Sequence, residues 1–113
     1  PGESSAAMRE RVVRARKVQE LRFAEYNATA QNPIHCNAQM TPKLVREYCV
    51  LDAAGDKLLS YAMDKMGLSA RAYERILEGA RTMADLDGSD AIQVVHISEA
   101  IGYRSLDRED WAG

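Results

Sequence analysis

Two helix signals stand almost back to back in the middle of this chain. An amphipathic run ends at Met66 and is followed by Gly67; Ser69 opens the next run at Ala70. Glycine adopts the left-handed conformation that closes a helix without steric cost. A serine hydroxyl accepts a bond from the free N–H groups of a helix's first turn. A stop and a start this close leave room only for a tight turn between two helices. Leu68 and Tyr73 flank the start in hydrophobic-staple positions. Every other long segment also has helical periodicity, and none alternates as a strand would. The expected fold is all-α, a compact bundle of about five helices with short connections.

Helix one is expected from about 6 to 29, capped by Ser4 or Ser5, with Met8, Val12, Ala15, Phe23 and Tyr26 along one stripe. Asn32-Pro33 ends it, because the residue before proline resists the α conformation. A polar loop runs to Gln39. Thr41-Pro42 then starts helix two with an N-cap and a proline at the first position, stapled by Met40 and Val45, and the helix ends near Cys49. Helix three covers about 53 to 66, with Leu58, Leu59, Ala62 and Met66 inward. Helix four runs from 70 to the stop at Gly88, with Ala72, Tyr73, Ile76, Leu77, Ala80, Met83 and Ala84 inward and Arg71, Arg75, Glu78 and Thr82 outward. Helix five spans about 94 to 104 and buries Ile97, Ala100 and Ile101. The implied division is a linker at 1–5, a helical domain at 6–106 and a mobile acidic tail at 107–113.

A chain of 113 residues with a net charge of −2 is one small domain with no demand for a polyanionic partner. No apolar run approaches membrane-spanning length, and no signal peptide is visible. Cys36 and Cys49 are not in a CxxC arrangement and read as reduced thiols of a cytoplasmic protein, Cys49 within the core. His35, Cys36, Cys49 and His96 do not match zinc-ligand spacing, so no metal site is expected; His96 reads as a first-turn surface residue. A chain opening at Pro1 in a turn-like Pro-Gly-Glu-Ser-Ser, without an initiator methionine, reads as a fragment of a larger polypeptide.

Arg71 is the residue that points to function. It lies in the first turn of helix four, where the positive end of the dipole favours acids and disfavours cations. The position makes sense if an anion such as a nucleotide phosphate docks there. Arg75, one turn on, either supports the same anion or forms a surface pair with Glu74 or Glu78. Arg81 and Asp85 read as a helix-surface pair of modest value. Helix one carries the one cationic cluster, with Arg9, Arg11, Arg14, Arg16, Lys17 and Arg22. Glu10, Glu20 and Glu25 dilute it, so a solvated face is favoured over a nucleic-acid surface.

The residues Leu68-Ser69-Ala70-Arg71-Ala72-Tyr73-Glu74-Arg75-Ile76-Leu77, Ala80-Arg81-Thr82-Met83-Ala84-Asp85-Leu86, His96-Ile97-Ser98-Glu99-Ala100-Ile101 and Tyr103-Arg104-Ser105-Leu106-Asp107-Arg108, with Arg11-Val12-Val13-Arg14-Ala15-Arg16 near the start, carry a resemblance. Together they resemble the C-terminal domain of the magnesium-chelatase-related AAA+ proteins of the competence ComM/YifB type, with a looser match from 27 to 56. The resemblance implies the helical lid of an AAA+ ATPase that works with an N-terminal core in cis. It further implies ATP and Mg²⁺ in the full-length protein, a ring homo-oligomer and coupling to DNA. Arg71 matches the sensor 2 arginine. The chain has no GxxxxGK[ST] phosphate loop, so the domain alone is expected not to hydrolyse ATP. Two other readings stay open: the lid of a true magnesium chelatase subunit, and a stand-alone helical module that binds protein or nucleic acid.

Overall fold

The computed structural model describes the backbone of residues 3–112 and the side chains of residues 3–103; Pro1, Gly2 and Gly113 lie outside it, as do the side chains of the acidic segment 107–113. Five α-helices and one short 3-10 turn make up the described chain: α1 (Ser5–Thr29), the turn Asn37–Gln39, α2 (Pro42–Tyr48), α3 (Ala53–Met66), α4 (Ala70–Leu86) and α5 (Val94–Ala112). No strand occurs among the described residues. The backbone of α5 runs on to Ala112, past the end expected near Arg104.

The helix starts follow local chemistry. Ser4, Thr41, Asp52 and Ser69 are N-caps whose side chains accept from the backbone N–H three residues on, at 3.1, 3.3, 2.7 and 3.2 Å. Each of these bonds satisfies a donor that the helix cannot satisfy itself. Gly67 has φ +60° and Gly88 has φ +72°, the left-handed values that a helix stop requires. The Ser89 N–H then closes back onto the Ala84 carbonyl at 2.8 Å.

α4 is central. It packs against α5, α1, α2 and the turn Asn37–Gln39, while α3 packs on α5. The core runs from Phe23 in α1 through Met40, Leu44 and Val45 to Leu59, Ile76, Leu77, Ala80, Ala84, Ile97 and Ala100. Phe23 meets Tyr48 edge to face at 6.1 Å between ring centres, fixing α2 against α1. α3 and α5 approach so closely at Gly55 that a Cβ there would lie 2.7 Å from Ile97 Cδ1.

The stripe expected on α1 is only half used. Ala15, Gln19 and Phe23 are buried, but Met8 and Val12 of the same stripe are exposed. The reason is length. At 1.5 Å per residue, α1 reaches about 37 Å against about 25 Å for α4, so its first turns overhang the helix they pack on.

Ile76 and Leu77, 1% and 6% exposed, report the packing of α4. Ile76→Ala or Leu77→Ala should each cost roughly 2–5 kcal/mol, read as a lowered urea midpoint. Gly55→Val should prevent α3 from seating on α5 and lower the midpoint further than Gly55→Ala. Native thiol labelling should find Cys36 and spare Cys49, whose thiol burial pushes up to about 12.

Candidate functional site

The position of α4 is set by a carboxylate at its inner face. Asp85 is 2% exposed. Arg22 of α1 grips it with both ends of its guanidinium, Nη2 donating to Oδ1 at 2.7 Å and Nη1 to Oδ2 at 2.8 Å. Arg81, one turn back on α4, donates from Nε to Oδ1 at 3.2 Å. Asn37 Nδ2 donates to Oδ2 at 2.8 Å and to Thr82 Oγ1 at 3.1 Å, while Asn37 Oδ1 accepts from Arg22 Nη1 at 2.9 Å. The remaining donors of Arg81 are directed outward along the chain, Nη1 to the Asp90 carbonyl at 3.0 Å and Nη2 to the Ser89 carbonyl at 2.8 Å. Gln19 accepts the Asn37 backbone N–H at 3.2 Å. One carboxylate thus ties α1, the turn, α4 and the α4–α5 connection together. No buried side-chain N or O is left without a partner among the described residues. Burial pushes the Asp85 carboxyl up, but hydrogen bonds from Arg22 and Asn37 and the charges of Arg22 and Arg81 outweigh it, holding the group below its ordinary value.

The geometry corrects three expectations, the first being Thr82, expected outward but half-buried with its hydroxyl accepting from Asn37. Arg81 and Asp85 are not a surface pair; Arg81 is 5% exposed and the carboxylate is fully enclosed. His96 is not a surface residue either. It is wholly buried, its Nδ1 accepting the Gln93 N–H at 2.9 Å and its Nε2 facing Asp87 Oδ2 at 2.8 Å. Since Nδ1 is the acceptor, the proton sits on Nε2 and is donated to Asp87. His96 therefore does at the start of α5 what glutamate does in a capping box. With both nitrogens used, it is no free metal ligand. Among the described residues no group of three or more His, Cys, Asp or Glu could hold a metal ion.

At the opposite end of α4 the cations are treated differently. Arg71 and Arg75 are exposed, and no hydrogen bond or ion pair among the described residues holds either one. The surface pair considered between Arg75 and Glu74 or Glu78 is not formed. Both arginines line a shallow groove of about 480 Å³, shared with Ala38, Ala70, Glu74 and Glu78. Ala38 belongs to the turn that Asn37 pins, so the buried cluster sets the wall opposite the arginines. The first turn of α4 contains no acid, and Ser69 satisfies only the Ala72 N–H. The open backbone donors and the positive dipole end therefore lie in the first turn with Arg71, and Arg75 follows one turn on. Glu74 and Glu78 line the same groove.

Asn37 is the residue that sequence reasoning missed. It lies in a stretch with no periodic signal, and its role needs partners 15, 45 and 48 residues away in the chain. The i,i+4 spacing of Arg81 and Asp85 was visible, but spacing does not reveal which face is buried.

The chain is an all-α bundle with two exposed arginines, Arg71 and Arg75, near the start of α4. The chain belongs to the family described as Magnesium chelatase, subunit ChlI C-terminal, which matches residues 2–104. It is 39% identical to the "Uncharacterized protein YifB" of Escherichia coli (strain K12) over 96% of its own length. It is 38% identical to the "Competence protein ComM" of Haemophilus influenzae over 95%. Both matches continue through residues 27–56, where the resemblance was looser. The chain spans 19% of the length of each relative, so it corresponds to one domain of a larger protein. No helix among the described residues is long and apolar enough to cross a membrane.

The buried cluster makes two measurable demands. Asp85→Ala should cost about 3–5 kcal/mol, because two guanidiniums then stay buried around a vacancy. The acid limb should follow the same group. A carboxyl with a depressed folded value contributes stability above its unfolded pKa, about 3.9, and loses it as pH falls through the folded value. Stability measured by urea titration should therefore drop below about pH 4 in the wild type, and by visibly less in Asp85→Asn.

Proposed function

We propose that this domain is the helical lid of an AAA+ ATPase and that Arg71 is its sensor 2 arginine. One observation supports the assignment above the others: Arg71 is an exposed cation in the first turn of α4 with no ion pair among the described residues, while Arg22 and Arg81 of the same bundle are consumed by a buried carboxylate. A cation left at the unfavourable end of a helix dipole costs stability unless a charge arrives from outside. In this reading that charge is the γ-phosphate side of ATP bound mainly by an N-terminal core of the same polypeptide. Arg71 clamps charge that develops on the transferring phosphoryl group, and Arg75 supports it from the next turn.

Mg²⁺ belongs to the core in this reading, since the described residues offer no carboxylate cluster for it. When bound, the nucleotide and metal supply the phosphoryl chemistry; the domain supplies an oriented guanidinium and a rigid helix behind it. A ring homo-oligomer of the parent, in the cytoplasm, and coupling to DNA remodelling are part of the same proposal. The DNA element is supported by a relative named a competence protein. The cations of α1 are interleaved with Glu10, Glu20 and Glu25, which argues against α1 as the contact with DNA.

The test is paired. Arg71→Ala in this chain should leave the melt within about 0.5 kcal/mol of wild type, or raise it slightly. In the full-length protein it should lower ATP turnover by about 10²–10³-fold, and lysine should restore only part, since it offers a point charge in place of a fork of donors. Unchanged turnover in the parent would sink the sensor assignment, and a large loss of stability in this chain would make Arg71 a structural residue.

A further inference from the structure

The overhang of α1 is apolar where a helix facing solvent has no use for it. Met8 is 53% exposed and Val12 37%, although both continue the stripe that buries Ala15 and Phe23. Val13 adds a third exposed apolar side chain, at 45%, and Arg9 and Arg16 flank the group. Helical phase places Met8, Val12, Arg16, Arg9 and Val13 on one continuous face. A nucleic acid would have no use for the two exposed valines and the methionine in that patch. Apolar side chains rimmed by arginine fit a protein surface that is apolar at its centre and acidic at its edge.

We propose that this face is the docking surface for the N-terminal part of the same polypeptide. The matched family is a C-terminal domain, and the chain spans 19% of its relatives' length, so the larger part of such a protein precedes α1. Residues 3 and 4 lead straight into the patch. A partner tethered within a few residues reaches millimolar effective concentration, enough to hold a small interface that would not survive between separate molecules. The patch is also firmly oriented on the rest of the fold. Arg11, on the same turns, donates from Nε to the Leu86 carbonyl at 3.2 Å, stands 4.0 Å from Asp87, and pairs with Glu3. Asp87 in turn accepts from His96. A body seated on Met8 and Val12 is therefore fixed relative to the C-terminal end of α4, the helix that carries Arg71 at its other end. The inference rests on the reading above only for calling the partner an ATPase core.

Thiol labelling tests it without ATP turnover. Val12→Cys and, independently, Met8→Cys are made in a Cys36→Ser background, in this chain and in the full-length protein. Leu21→Cys, at a position 78% exposed on another face of α1, is the control. Labelling of Val12→Cys and Met8→Cys should be slower in the full-length protein by at least roughly tenfold, and that of Leu21→Cys unchanged. Equal rates in both contexts overturn the proposal. So does slowing of this chain alone as its concentration rises, which makes the occupant a second copy. Slowing that appears only when duplex DNA is added overturns it as well. Full-length turnover unchanged by Arg71→Ala, together with a protected Val12→Cys, would refute the sensor reading and leave this one standing.

Discussion

Everything in this bundle is arranged around one carboxylate. Asp85 is the single acid at the centre of the buried polar cluster, and two arginines and an asparagine from three elements converge on it. Apolar contacts alone would let α1 slide or rotate on α4 at modest cost, because they are non-directional. A bidentate guanidinium on a buried carboxylate permits one register. Removing either partner leaves a charge in a low-dielectric interior, so breaking the cluster is strongly destabilising. Tyr48 completes the arrangement, its hydroxyl donating to the Arg22 carbonyl at 3.2 Å and its ring lying under the Arg22 guanidinium.

The consequence for function is a division of labour along α4. Its inner face and C-terminal end are bonded into the domain through Arg81, Thr82, Asp85 and the Arg11–Asp87–His96 chain. Its N-terminal end carries Arg71 and Arg75, which no hydrogen bond or ion pair among the described residues holds. The helix is thus bonded into the domain at one end and solvent-facing at the other, the arrangement on which the proposed role of Arg71 rests. The turn Asn37–Gln39 takes part, since the same asparagine that anchors the cluster brings Ala38 to the edge of the arginine groove.

The two kinds of arginine in this chain could not be separated by composition or periodicity. Arg22 falls within a cationic helix and looked like its neighbours Arg14 and Arg16. Only the approach of α4 sets it apart, because a residue's burial is decided by what packs on its face and not by its own polarity. His96 is the same case. Its buried capping role depends on Asp87 at the end of another helix and on the Gln93 N–H, a juxtaposition made by the tight connection after Gly88.

Local chemistry in the sequence settled where α1 to α4 begin and end and where α5 starts, but not where α5 stops. Proline, glycine and the capping hydroxyls act within one turn, so Ser69, Thr41-Pro42, Gly67 and Gly88 could be read without knowing the fold. The inward stripes of α3 and α4 followed from the same short-range periodicity, as did the membership of Ile76, Leu77 and Ala80 in the core. Tertiary structure decided what required distant partners: that Arg81 and Asp85 face inward, that Asn37 from an aperiodic loop joins them, and that α1 outreaches its support and leaves Met8 and Val12 bare. Those outcomes depend on helix lengths and crossing positions in space, and a residue pair separated by tens of positions leaves no local signal of its meeting.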